Sequence, residues 1–88
     1  MNERDFIKLC KSTVVSYVND KAQCKRIDED DVFVVWHCKT LQNSKAMVST
    51  NLLDGMYFEL TYNGDKKELY VDAYKKQENI VVKIPTIS

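Results

Sequence analysis

Two glycines, one proline, one histidine and one tryptophan in 88 residues leave several chemistries without material. Two glycines cannot build a Gly-rich phosphate cradle, and no G-x-S-x-G elbow or pair of histidines is present. An excess of charge of one sign is also missing. Thirteen Lys and Arg balance thirteen Asp and Glu, and residues 1–44 and 45–88 are each balanced separately. A chain that lives on phosphate backbones carries net positive charge or a basic stripe, so the sum argues against nucleic acid as the partner. Near-zero charge gives little colloidal repulsion and mildly favours self-association. No apolar run approaches the roughly 20 residues of a membrane span. Met1-Asn2-Glu3-Arg4-Asp5 begins with mixed charges and lacks the apolar core of a signal peptide, which makes the cytoplasm the expected compartment.

Cysteine is present but in the wrong pattern for a framework. Cys10, Cys24 and Cys38 are odd in number and spaced by fourteen, with no C-x2-C pair for zinc. His37 and Cys38 are adjacent, and neighbours on a strand point to opposite faces. Reduced structural thiols are expected, with no metal and no cofactor.

The chain is long enough for one core and no second domain, so residues 1–88 are read as a single domain. Such a chain buries only about 60–65% of the surface it exposes unfolded. Its first part is helical, over about residues 2–22. Asn2 suits the N-cap and Asp5 the first turn. Phe6, Leu9, Cys10, Thr13, Val14 and Tyr17 recur at three- and four-residue steps on one stripe, extendable to Val18 and Ala22. The polar face lacks the strong basic charge of a membrane-surface helix, so sheet packing is expected. Residues 23–31 form the crossing, and Asp28-Glu29-Asp30-Asp31 reads as a solvated acidic loop.

From about residue 31 to 84 the periodicity is that of strands. Val32–Cys38 is dense in β-branched and aromatic residues, as in a strand buried on both sides or central in its sheet. After a Leu41–Ser44 turn come strands over Lys45–Thr50, Met56–Tyr62 and Lys67–Lys75, and a short fifth over Ile80–Ile84 before Pro85. A four-residue loop opposes Tyr62 to Lys67, Leu60 to Leu69, Phe58 to Val71 and Met56 to Ala73. It also keeps Glu59 away from Glu68, which a two-residue Asn63-Gly64 turn would place opposite it. Both registers put Met56, Phe58, Leu60, Leu69, Val71 and Ala73 toward the core, because they differ by two residues. The fold class is therefore α+β: an N-terminal helix on one face of a four- or five-stranded antiparallel meander.

One helix covers one face. The other carries Tyr57, Glu59, Thr61, Tyr70, Asp72 and Tyr74, with Trp36 a candidate from the first strand whose face the pattern leaves open. Tyrosine and tryptophan with polar tips suit a protein interface, although tyrosines also lie flat over neighbouring strands without a partner. Trp36, Tyr57, Glu59, Tyr70, Asp72 and Tyr74 are the candidate binding residues. Base stacking on a sheet needs interleaved cations, and here the interleaved groups are Glu59, Asp72 and Thr61. Lys39, Lys45, Lys66, Lys67, Lys75 and Lys76 gather at turns and strand ends, which keeps an edge-binding nucleic-acid module as an alternative. Catalysis is not expected. His37 reads as structural or surface, nothing flanks a cysteine to activate it, and Glu59 with Asp72 reads as solvated charge rather than an acid–base pair.

Val34-Val35-Trp36, Cys38–Asn43, Lys45-Ala46, Ser49-Thr50, Asp54–Tyr57, Thr61–Glu68 and Asp72–Lys76 together form a distinctive string. It resembles a family of small proteins, classed as a domain of unknown function, encoded by phages and prophages of Gram-positive bacteria. The resemblance covers nearly the whole chain, is densest over residues 34–79 and contains no catalytic or ligand motif. It implies a phage accessory protein acting in the bacterial cytoplasm on a host or defence protein, or on its own copy. A sponge for a small nucleotide-like signal, held between protomers, is a further alternative.

Overall fold

The structure is a computed structural model and describes residues 1–21, 26–52 and 54–85. Helix α1 runs Glu3–Lys21, a single 3-10 turn covers Glu29–Asp31, and four strands follow: β1 Val32–Thr40, β2 Asn43–Thr50, β3 Met56–Asn63 and β4 Glu68–Lys75. They pair in the order β1-β2-β3-β4, every neighbour antiparallel. The chain is thus an α+β two-layer fold, one helix on a four-stranded meander.

Asn2 caps α1 as its sequence position implies: its Oδ1 accepts the Asp5 N–H at 2.8 Å, and its carbonyl accepts the Phe6 N–H at 3.0 Å. The stripe at three- and four-residue steps delivers Phe6, Cys10 and Val14 into the core with Ile27, Val32, Ala46, Val48, Phe58 and Leu60. Tyr17 meets the Phe58 ring edge-on, with centroids 5.5 Å apart. Below the helix, Asn19 holds the returning chain with both ends of its amide. Its Nδ2 donates to the Ile27 carbonyl and its Oδ1 accepts the Ile27 N–H, each at 2.9 Å. Ala22 and Cys24 fall outside the described residues.

The acidic run is more ordered than a solvated loop. Asp28 Oδ1 accepts the Asp30 N–H, Asp31 Oδ2 accepts the Asp28 N–H, and Asn51 binds Asp31 through both its amide side chain and its backbone N–H. These bonds close a capping box and set the angle at which the chain enters β1.

Three expectations about the sheet are corrected. First, β1 is an edge strand and mostly exposed, not central. Its apolar density reflects exposed Phe33, Val35 and Trp36 rather than burial on both sides. Second, the β1–β2 turn is the pair Leu41-Gln42, so β2 begins at Asn43, and Leu41 takes the left-handed φ of 55° that a two-residue reversal demands. Third, the last hairpin closes on Asn63 and Glu68, which opposes Tyr62 to Leu69, Leu60 to Val71, Phe58 to Ala73 and Glu59 to Asp72. The register lies two residues beyond the expected one and keeps the same faces. Its four-residue loop turns on Lys67, φ 54°, while Asn63 Oδ1 accepts the N–H groups of Asp65 and Lys66. Gly64 serves a different purpose: its N–H donates to the Gln42 carbonyl at 3.1 Å, and a Cβ there would sit 2.3 Å from that oxygen.

Among the described residues no fifth strand forms. Residues 76–85 belong to no ladder, and Ile80, Val81, Val82 and Ile84 are 69–84% exposed. The helix also stops short of β4. Val71 and Ala73 face the helix side as expected but remain exposed, and of β4 only Leu69 is half-buried.

Candidate functional site

Strand pairing assigns the face opposite the helix row by row. Residues directly paired across strands share a face. Phe33, Ser49, Tyr57 and Tyr74 form one row; Trp36, Met47, Glu59 and Asp72 the next; Cys38, Lys45, Thr61 and Tyr70 the third. All six residues singled out from the sequence, Trp36, Tyr57, Glu59, Tyr70, Asp72 and Tyr74, therefore lie on this outer face.

Trp36 reaches it because of a bulge. The β1–β2 register slips between Val34 and Trp36: Val34 pairs with Val48, but Trp36 pairs with Met47. An extra residue in one strand inverts the alternation beyond it. Without the slip, Trp36 would share the helix side with Val32 and Val34. With it, His37 takes that side instead, where its Nε2 lies 3.1 Å from Glu3 Oε1 at the start of α1.

Phe33, Trp36, Tyr70 and Tyr74 are 40–50% exposed, so the face presents four accessible rings from the two outermost strands. Phe33 and Met47 are additions that sequence reasoning missed. Phe33 was hidden within a run read as doubly buried, and Met47 becomes visible only through its pairing with Trp36. Between the rings lies a sparse set of charges. Glu59 and Asp72 are directly opposed, and Lys45 Nζ stands 3.7 Å from Glu59 Oε1. The Tyr70 hydroxyl donates to the Glu68 carboxylate, and this bond, with smaller contributions from desolvation and the same negative charge, raises the phenol's pKa.

The strand alternation also separates the thiol and imidazole of the adjacent Cys38 and His37. Cys38 lies on the outer face, but His37 points to the other side, so the neighbouring pair cannot act together. Cys10 is fully buried, and burial pushes its thiol from 9.0 up to about 12, which makes it a packing group. Among the described residues no group of three or more His, Cys, Asp or Glu is placed to hold a metal ion. A groove of about 240 Å³ lined by Tyr17, Lys21, Leu52, Asp54, Met56 and Phe58 opens beside the helix C-terminus. It falls below the roughly 300–1,000 Å³ usual for small-molecule sites.

The chain belongs to the family of unknown function DUF6275, whose model matches residues 7–84. That span takes in most of α1, the whole sheet and the apolar residues beyond β4. No curated protein and no solved structure matches the chain. No described helix is long and apolar enough to cross a membrane.

Proposed function

We propose that this DUF6275 chain is a non-enzymatic binding protein, a small phage or prophage accessory protein that engages a host or defence protein in the bacterial cytoplasm through its outer sheet face. The observation that carries the reading is the set of accessible rings on that face, Phe33, Trp36, Tyr70 and Tyr74, with no described element layered above them. Large rigid rings with polar tips supply contact area at low entropic cost and dominate protein interfaces. The charges beside them, Glu59, Asp72 and Glu68 against Lys45, favour a protein partner over a phosphate backbone, which these carboxylates repel.

The test is capture from Gram-positive host lysate with the purified chain, repeated with Trp36→Ala/Tyr74→Ala and with Lys8→Ala on the exposed side of α1. Truncating two large rings that anchor an interface costs about 2 kcal/mol or more, a loss of more than about tenfold in affinity. The ring variant is expected to lose the captured protein while the Lys8 variant keeps it. Equal capture by all three chains would overturn the reading.

A further inference from the structure

Among the described residues each reversal in the meander has one in the left-handed region: Leu41 between β1 and β2, Gly55 (φ 70°) between β2 and β3, and Lys67 between β3 and β4. Residues 76–79, Lys-Gln-Glu-Asn, have none. The Lys76 N–H instead donates to the Gly55 carbonyl at 2.8 Å, continuing the β3–β4 direction one bond past the last pair. The chain then runs on as an exposed arm, Ile80-Val81-Val82-Lys83-Ile84. The radius of gyration is 15.8 Å and the longest dimension 50 Å, against about 12 Å expected for the radius of a compact chain of this length.

The arm matches a vacancy in the sheet. Antiparallel to β4, with Ile80 opposite Lys75, it sets Val82 opposite Ala73 and Ile84 opposite Val71 on the helix side, where Val71 and Ala73 lie exposed. The same register sets Lys83 opposite Asp72 on the outer face, beside the like-charged Glu59. Apolar residues thus meet apolar residues, and a cation meets the carboxylate pair. The other free edge, β1, is interrupted by its bulge, a device that disfavours strand addition, whereas β4 pairs with β3 without a break. An intrachain hairpin needs a reversal at 76–79, and that segment holds no turn or bend.

We propose that two copies of this chain exchange their C-terminal arms, residues 80–84 of each adding as an antiparallel fifth strand to β4 of the other. Exchange of an identical element about a two-fold axis lets each copy make the pairings its own turnless hinge denies it. The dimer uses the β4 edge, which carries Tyr70, Asp72 and Tyr74, and leaves Trp36 and Phe33 at the far side of the sheet free; solution mass reads the exchange and lysate capture reads the outer face, so failure of one is distinguishable from failure of the other.

Solution mass decides it first. The full chain is expected at twice its 10.3 kDa by light scattering, falling toward the monomer on dilution. Val82→Asp, which puts a carboxylate against Ala73 and Val71, is expected to lose the dimer while the protomer still unfolds cooperatively in urea. A monomeric wild-type chain at all concentrations, or a dimeric Val82→Asp chain, overturns the proposal. The pairing is checked by co-expressing Asp72→Cys and Lys83→Cys chains, both with Cys24→Ser and Cys38→Ser, and oxidising them. A disulfide joining position 72 of one chain to 83 of the other is expected. Linkage only between like positions, or a 72–83 disulfide within a chain carrying both changes, means the arm is not exchanged.

Discussion

Glu59 on β3 and Asp72 on β4 stand directly opposite each other, and among the described residues the ion pair at this site goes to Glu59, with Lys45 at 3.7 Å. Opposed like charges on adjacent strands are destabilising by a few tenths of a kcal/mol, and a half-exposed ion pair contributes a similar amount. Asp72→Asn should therefore stabilise the isolated protomer by about 0.2–0.5 kcal/mol, whereas Glu59→Gln, which removes the repulsion and the ion pair together, should be near neutral. Urea unfolding of both variants at low protein concentration checks the asymmetry. Cys10 makes a pH-dependent contribution of known sign. Its thiol ionises near 9.0 when unfolded and only at about 12 when folded. The folded state retains the proton between those values, so its stabilising contribution is complete below 9.0 and declines until pH passes 12. Cys10→Ala is expected to flatten the loss of stability above pH 9 by up to about 1.4 kcal/mol per pH unit. Unfolding titrations on either side of that pH measure it.

At the scale of elements, two side-chain devices hold pieces that periodicity does not connect. Asn19 clasps Ile27 through both amide ends, fixing where the chain leaves the helix for the sheet. Asn19→Ala strands the partly buried N–H and carbonyl of Ile27 and should cost about 1–3 kcal/mol, read as a lowered urea midpoint with an unchanged slope. Gly64 lets the β3–β4 loop approach the β1–β2 turn. A Cβ at 2.3 Å from the Gln42 carbonyl oxygen forces one backbone away from the other and breaks the bond between them. Gly64→Ala should destabilise by about 1–3 kcal/mol although Gly64 does not occupy the left-handed region. The more familiar Asn63-Gly64 signal thus marks a hairpin correctly while the strained position falls on Lys67.

At the scale of the molecule, one helix over a four-stranded sheet leaves a thin margin. Stability near 0.05–0.15 kcal/mol per residue is smaller than, or comparable with, a few core contacts. Phe58, buried and in edge contact with Tyr17, is central to the single core, and Phe58→Ala at about 3–5 kcal/mol should leave little cooperative unfolding by circular dichroism. The smallest dimension, 19 Å, is that of two layers, and none of the described elements forms a third. Both the outer face and the β4 edge are consequences of that shortage.

The sequence by itself determined the elements whose stability is local. Asn2 and the Phe6–Cys10–Val14 stripe specify α1, because capping and 3.6-residue periodicity act within one segment. Alternation along Met56–Leu60 specifies which side faces the helix, because a two-residue slip in register leaves alternation intact. Only the tertiary structure decided where Trp36 points, since the bulge at Val34–Trp36 is a relation between β1 and β2 that neither strand's composition displays. It likewise decided that β1 is an edge, that Gly64 is needed for its distance from Gln42, and that Ile80–Ile84 leaves the sheet. Each depends on which backbone lies alongside, and a run of β-branched residues has the same local preference whether its neighbour is a core, solvent or a second chain.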